Sequence, residues 1–236
     1  MHEYYKNKKD HFKTEMDHYF LLIKPELEEI FKKGYAQIKV EVWNIYETEM
    51  LENFPYIGGD AVSGTENLTG VYYFVALALA AKPYGLSTSE WGRLTTTCFE
   101  RFHTQKPAFM RKITGNIMKV CGTKMLRKKD EKNAANAAKY PGSFETRTMN
   151  SDAVYAINFH NLICPVYNFA VKMGYEEYMP YMCNLDYVTY GAMGLALRRE
   201  KVLADGDDCC DFKFLRKGEP AANWPPHILD SSDPLK

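Results

Sequence analysis

A change in hydrophobic periodicity near Ser143 constrains the fold of this 236-residue chain more than any other feature. Before it, apolar residues recur at the three- and four-residue spacing of amphipathic helices, as in Phe20, Ile23 and Leu27. After it, residues 144–149 and 154–159 alternate apolar and polar side chains around an Asn-Ser-Asp turn, which is typical of a β-hairpin. Helices followed by strands predict an α+β fold.

The N-terminal part, residues 1–140, is predicted to form a helical layer. We expect two helices before residue 54, with a break near Gly34. Pro25 either kinks the first helix or lies in the opening turn of a new one, where its missing N–H has no cost. Two later helices are predicted over 109–126 and 131–138.

The C-terminal part, residues 141–220, is predicted to carry an antiparallel sheet of about four strands. A strand over 195–202 leads through a glycine turn into the motif 203–214. Alternation places Cys210, Phe212 and Phe214 on one face of the last strand and Asp211 on the other, solvated or paired with the turn. We expect residues 1–220 to form a single domain, and residues 221–236 to be a surface tail.

Composition limits the partners that this chain can have. Thirty basic residues balance thirty acidic ones, so the chain lacks the positive charge of a nucleic-acid-binding protein. No apolar run approaches the ~18 residues of a spanning helix, and no signal peptide is recognisable. We therefore expect a cytoplasmic protein with no nucleic-acid and no membrane partner, and a homodimer is left open.

Six cysteines without a secretory signal predict free thiols instead of a disulfide framework. Three of them lie at the ends of predicted elements. Cys164 follows a strand and precedes Pro165, where helix N–H groups can lower a thiol pKa. Cys183 lies on one helix face with Asp186. Cys210 begins the last strand, where a side chain can be held rigidly.

These thiols admit two kinds of chemistry. A thiolate can attack an electrophilic carbon while Asp186 or His160 moves protons. Alternatively, three thiolates and Asp186 can bind zinc, although their spacing lacks the C-x-x-C clustering of common zinc sites. We expect no cofactor and no metal ligands, with zinc as the alternative.

A paired glycine, Gly58-Gly59, precedes a helix that Asn67 opens. Such a loop lets backbone N–H groups approach a substrate carboxylate, helped by the partial charge of the helix N-terminus. The alternative is a simple turn of the chain. The Gly-x-Gly-x-x-Gly, Gly-x-Ser-x-Gly and His-Glu-x-x-His motifs are missing from the sequence, which argues against dinucleotide binding, serine hydrolases and zinc proteases.

Several segments, taken in order, resemble the L-2-amino-thiazoline-4-carboxylic acid hydrolase family. The most specific are the Cys-x-x-Asp step in Pro180-Tyr-Met-Cys183-Asn-Leu-Asp186 and the closing motif Leu203-Ala-Asp-Gly-Asp-Asp-Cys-Cys-Asp-Phe-Lys-Phe214. The resemblance also includes Pro55-Tyr-Ile-Gly-Gly59, the apolar residues 70–79 and Cys164-Pro165. A fainter likeness links the ending to ligand-sensing domains of the 4-vinyl reductase type.

The resemblance implies a hydrolase acting on C–N and C–S bonds of a small cyclic substrate. Water or a thiolate would attack C2 of the thiazoline, the C–S bond would open, and N-carbamoyl-cysteine would leave; a related heterocycle or amide is also admitted. The implied site residues are Cys164, Cys183 and Cys210 as nucleophile or thiol wall, Asp186 or His160 for protons, and Gly58, Gly59 and Asn67 for the carboxylate. Two alternatives are a small-molecule-binding domain without turnover, with cysteines as core or metal ligands, and a redox-active thiol protein.

Overall fold

The structure, a computed structural model, describes residues 1–62 and 64–220, and the predicted tail 221–236 lies outside the described residues. Its helices and its four-stranded antiparallel sheet confirm the α+β class. The helices are α1 (Glu3–Asn7), α2 (Lys9–Leu21), α3 (Lys24–Phe31), α4 (Tyr35–Ile45), α5 (Thr65–Ala81), α6 (Thr88–Thr104), α7 (Ala108–Lys139), α8 (Pro165–Met173) and α9 (Met179–Ala192). The strands are β1 (Glu145–Thr148), β2 (Tyr155–Ile163), β3 (Leu197–Arg198) and β4 (Cys210–Leu215).

The N-terminal layer contains more helices than the two predicted before residue 54. The chain breaks at Ile23, and Pro25 lies in the first turn of α3, where no N–H is needed. A second break follows at Lys32, which adopts the left-handed φ of 52°, and Gly34 precedes α4. The alternative in which Pro25 begins a new helix is therefore the one observed.

Helix α5 lies at the centre of the helical layer and is buried along most of its length. Its Tyr72 hydroxyl donates to the carbonyl of Val166 in α8 at 2.7 Å, and the Trp91 indole of α6 donates to the carbonyl of Phe74 at 2.7 Å. These bonds satisfy polar groups inside an apolar core. Within the described ranges, no helix has both the length and the apolarity needed to cross a bilayer.

Helix α7 runs unbroken for 32 residues, so the prediction of two helices there is wrong. The predicted break, residues 127–130, contains Arg, Lys and Asp, which helices tolerate. Asp130 also ties this part of α7 to β1, because its carboxylate accepts hydrogen bonds from the Thr146 hydroxyl at 2.6 Å and from the Thr148 N–H at 2.6 Å. Tertiary contacts thus favour a continuous helix.

The sheet has the strand order β1-β2-β4-β3, and every pair is antiparallel. Directly opposed residues share a face, so the pairs Ile157 with Phe214 and Phe159 with Phe212 form one apolar face. The Phe159 and Phe212 rings stack with centroids 4.7 Å apart. Helices α7 and α9 cover this face; for example, the Tyr190 ring of α9 meets Phe214 edge-on at 4.7 Å.

Strand β3 is shorter than the predicted strand over 195–202. Beyond Arg198, the Glu200 and Lys201 N–H groups donate to the Asp211 carboxylate at 2.8 and 2.6 Å instead of to a neighbouring strand. Asp211 is buried, so the expectation that it is solvated is wrong and the alternative of a turn partner is correct. Its pKa is lowered by Lys213 and by these N–H donors, against the opposing effect of burial.

Helix α7 passes close to the end of α9 at Gly115, and substitution of this glycine tests the contact. A Cβ on Gly115 would lie 2.0 Å from the carbonyl oxygen of Met193, whereas a Cβ on Gly70 of α5 would meet nothing within 4 Å. We expect Gly115→Ala to lower the free energy of unfolding by about 1–3 kcal/mol, and Gly70→Ala to raise it by about 0.5–1 kcal/mol. Urea unfolding measures both, and stabilisation by both substitutions would contradict this contact.

Candidate functional site

Three thiols and one carboxylate converge where α8, α9 and β4 meet. Cys164 is the residue before α8, Cys183 and Asp186 lie on α9, and Cys210 begins β4. A negative charge on Cys164 or Cys210 would raise the pKa of Cys183, and one on Asp186 would raise the pKa of all three thiols. These groups therefore lie within electrostatic range of one another. The sequence placed the thiols at element ends and left open whether they converge.

We interpret the four groups as the wall of a depression, from their exposure to solvent. Cys164 and Cys183 are partly exposed, and the Asp186 side chain keeps 36% of its surface accessible. Nevertheless, burial is the largest influence on the pKa of each of these groups. A side chain that is surrounded by protein and still open to solvent lies in the wall of a concavity, which is where small-molecule sites are found.

A buried cation, Arg199, completes the cluster, although the sequence patterns did not identify it as a site residue. Its side chain is 1% exposed, and its guanidinium donates to Asp186 Oδ2 and to the Cys183 carbonyl, both at 3.0 Å. Its charge also lies over the rings of Tyr187 and Phe212, at 5.4 and 5.2 Å. The signal was available, since Arg199 follows Leu195 and Leu197 at inward positions of the predicted strand.

Opposing influences set the protonation of Asp186. Burial raises the pKa of its carboxyl, whereas the Arg199 charge and hydrogen bond lower it, and the net effect is a pKa above the ordinary value. Arg199 occupies Oδ2, and within the described residues Oδ1 has no hydrogen-bond partner. A carboxyl with a raised pKa and one free oxygen can accept a proton from a bound water.

Burial raises the pKa of all three thiols. Burial raises the pKa of Cys164 to about 12, although the N–H groups of Tyr167 and Val166 act in the opposite direction. Burial also raises the pKa of Cys210 to about 11 and that of Cys183 well above its ordinary value. The helix start beside Cys164 therefore does not outweigh burial, contrary to the suggestion from the sequence.

The structure does not bring His160 to the thiols. His160 pairs with Asp211 in the β2–β4 ladder, whereas Asn161 pairs with Cys210. Because neighbours along a strand alternate between faces, His160 lies on the face opposite to Cys210. A role of His160 in proton transfer stays a prediction, and the strand pairing does not support it.

The glycine loop is packed against aromatic side chains. A Cβ on Gly58 would lie 2.5 Å from Val62, and one on Gly59 would lie 2.8 Å from Tyr4, so both positions exclude a larger residue. Both glycines also have positive φ, 112° and 58°. Asn67 is exposed near the start of α5. Close packing and positive φ therefore account for glycine at both positions. The role of Gly58, Gly59 and Asn67 in binding a carboxylate stays a prediction.

The start of α5 does approach the thiol end of the sheet. A Cβ on Gly64 would lie 2.1 Å from the Phe144 ring. The next residue, Glu145, pairs with Ile163, which directly precedes Cys164. This chain of contacts leads from the helix N-terminus to the residue before Cys164.

Two other concavities lie outside this cluster. One of about 680 Å³ is lined by side chains of α6 and α7 and by Met193. One of about 340 Å³ is lined by Lys119, Val120, Thr123, Ser151, Ala156 and Arg216. The residues lining them include no carboxylate and no thiol. Within the described residues, no group of three or more His, Cys, Asp or Glu side chains has an arrangement that could hold a metal ion.

A family model described as L-2-amino-thiazoline-4-carboxylic acid hydrolase matches residues 95–214, just over half of the chain. The chain belongs to this family. No match was found among curated proteins or among solved structures. The part that matches the thiazoline hydrolase family contains Cys164, Cys183, Asp186, Arg199 and Cys210 but not the glycine loop.

Thiol reactivity tests the electrostatics of the depression. Cys121 of α7 is the only one of the six cysteines that is exposed, so we expect N-ethylmaleimide at neutral pH to modify it first. Cys164, Cys183 and Cys210 should react at least about tenfold more slowly, because the thiolate is the reactive form. Mass spectrometry of peptides at timed intervals measures each rate. Modification of Cys164 as fast as that of Cys121 would contradict the raised pKa.

Proposed function

We propose that this protein hydrolyses a small cyclic amidine of the thiazoline type, with L-2-amino-thiazoline-4-carboxylate as the first candidate and related heterocycles or amides as the next. The observation that carries this proposal is the Asp186 carboxyl, which has a raised pKa, opens into a depression and is held by Arg199. Membership in the thiazoline hydrolase family supports the reaction class.

The proposed reaction consumes one water molecule. Ionised Asp186 removes a proton from a water that lies against its free Oδ1, and the water oxygen attacks C2 of the thiazoline ring. As the oxygen adds, the electron pair of the C2–N double bond moves to the ring nitrogen. When this pair returns, the C2–S bond breaks, and the protonated Asp186 gives its proton to the leaving sulfur. The second proton of the water moves from the oxygen to the former ring nitrogen, which leaves a urea carbonyl at C2. The product is N-carbamoyl-cysteine, and Asp186 ends in the form in which it began.

In this proposal the thiols form the wall of the depression and water is the nucleophile. A nucleophilic cysteine needs a lowered pKa or an adjacent base, and burial raises the pKa of Cys164, Cys183 and Cys210. Their apolar, polarisable side chains suit a sulfur-containing ring. Gly58, Gly59 and Asn67 remain our candidates for the substrate carboxylate, supported by the contact between Gly64 and Phe144.

A second candidate function is the binding of a small molecule without turnover. It is favoured by one observation: the Arg199 guanidinium already binds Asp186 and a backbone carbonyl. The raised pKa values of the thiols agree with it. Such a depression would hold a ligand but would offer little reactivity. Tight binding of the thiazoline without release of a thiol by the wild type would favour this function over hydrolysis.

Replacing the proposed base tests the reaction directly. We expect Asp186→Asn to lower kcat by roughly 10²–10⁴-fold with an unchanged fold, because the amide cannot accept the proton of water. Asp208→Asn is the matched control, since Asp208 is 76% exposed and pairs with Lys201. Release of the product thiol, followed with a chromogenic disulfide, measures turnover. Full activity of Asp186→Asn would exclude this role.

The pH profile tests the influence of Arg199 on Asp186. Because the Arg199 charge lowers the pKa of Asp186, its removal in Arg199→Met should raise that pKa further. The base then ionises only at higher pH, so the acid limb of kcat/KM should move to higher pH. Arg199→Lys retains a charge and should move the limb less. Circular dichroism identifies the pH range in which each variant is folded, and an unmoved limb in folded protein would contradict the pairing.

A further inference from the structure

We propose that the exposed face of α7 binds an anionic lipid surface. This surface, the α7 face, consists of Phe109, Met110, Ile113, Ile117 and Val120, followed along the helix by Lys124, Arg127 and Lys128. It is separate from the thiol depression and does not depend on the proposed hydrolysis. It also replaces our expectation from overall composition that the chain has no membrane partner.

Apolar exposure is concentrated on this helix. Of the eleven large apolar side chains that are exposed within the described residues, six lie on α7. Phe109 is 64% exposed and Val120 is 84% exposed. At 100° per residue, the five apolar residues of the α7 face fall within an arc of about 100°, and they extend about 16 Å along the axis. Isolated exposed apolar residues are common, but a continuous stripe marks an interaction surface.

The opposite side of α7 is fixed to the rest of the fold. Gly115 approaches the carbonyl of Met193, and Gly122 approaches the side chain of Ile157. The Thr123 hydroxyl donates to the carbonyl of Ala156 at 3.1 Å. The apolar stripe therefore points away from the core, and no rearrangement of the described fold is needed to expose it.

The charge of α7 identifies the chemistry of its partner. The helix contains nine Lys and Arg residues against two acidic residues, a formal charge of +7 in a chain whose net charge is zero. Within the described residues, none of these basic side chains forms a salt bridge, and both acidic residues lie beyond Lys129. Uncompensated positive charge beside a row of apolar residues is typical of helices that lie on anionic membranes.

The same charge argues against the other occupants. A symmetric dimer through the α7 face would bring together two surfaces that each carry Lys124, Arg127 and Lys128, and like charges oppose association. A nucleic acid would match the charge but would leave Ile113, Ile117 and Val120 without an apolar partner. An anionic bilayer surface provides both headgroup charge and acyl chains.

A groove at the start of α7 extends the surface. Its volume is about 680 Å³, and three of its lining residues, Phe109, Met110 and Ile113, belong to the α7 face. Lys106 and Arg111 also line the groove. Among the residues that the structure describes, the Arg111 guanidinium donates to two backbone carbonyls, those of Lys106 and Ala192. The groove therefore combines apolar walls with cationic groups, and its lining residues include no carboxylate that could neutralise them. This combination suits an acyl chain below an anionic headgroup.

Sedimentation of the full chain with vesicles tests the proposal. We expect binding to mixed phosphatidylcholine and phosphatidylglycerol vesicles, little binding to phosphatidylcholine alone, and weaker binding as salt is raised. Val120→Glu should weaken binding at least tenfold, because it places a carboxylate in the stripe. Lys124→Glu and Lys128→Glu should each weaken it about fivefold or more. A fluorophore on the exposed Cys121 should report a less polar environment when vesicles bind.

Val40→Glu is the matched control, since Val40 is 60% exposed on α4, away from α7. Thermal melts should show that all variants remain folded, because each changed side chain is exposed. The proposal is overturned if mixed vesicles do not bind the wild type, if neutral vesicles bind equally well, or if Val40→Glu weakens binding as much as Val120→Glu. A dimer that Val120→Glu dissociates, without vesicle binding, would instead assign the face to a second copy.

Discussion

The ion pair between Arg199 and Asp186 joins the sheet edge to α9, and the geometry of the candidate site depends on it. A guanidinium that is 1% exposed is costly to bury without partners. Arg199 obtains them from the Asp186 carboxylate, the Cys183 carbonyl and the faces of two aromatic rings. The same hydrogen bonds fix the α9 backbone at Cys183 and orient the Asp186 side chain. One buried charge thus positions two residues of the site.

The register of the sheet decides which residues can join this pair. Asn161 opposes Cys210 and Phe159 opposes Phe212 on the face covered by α9. A slip of one residue would exchange the two faces of β4. Cys210 would then leave the depression. Buried Asp211 would lose the hydrogen bonds that its carboxylate accepts from the Glu200 and Lys201 N–H groups near β3. The stacked phenylalanine rings thus support the site as well as the core.

Local patterns predicted the elements better than they predicted their ends. Alternation located β2 and β4, and the Cys-x-x-Asp spacing placed Cys183 and Asp186 on one helix face. Patterns could not show that α7 is continuous, because Asp130 bonds to a strand that follows later in the chain. They also could not separate His160 from the thiols, since the face of a strand residue depends on pairing. Arg199 was missed because charged residues at inward positions are read as surface residues unless a partner is known.

Burial and the Arg199 charge act in opposite directions on the pKa values of the carboxyl and of Cys183. Burial raises the pKa of every group, but Arg199 donates a hydrogen bond only to the carboxylate among them, and its charge lowers the pKa of Asp186. The charge also lowers the pKa of Cys183, yet burial dominates there. Sites that perform acid–base chemistry near neutral pH commonly separate their groups in this way. Asp186 ionises before any of the cysteines because a carboxyl is intrinsically more acidic than a thiol, and the Arg199 charge preserves this order by offsetting part of the effect of burial on the carboxyl.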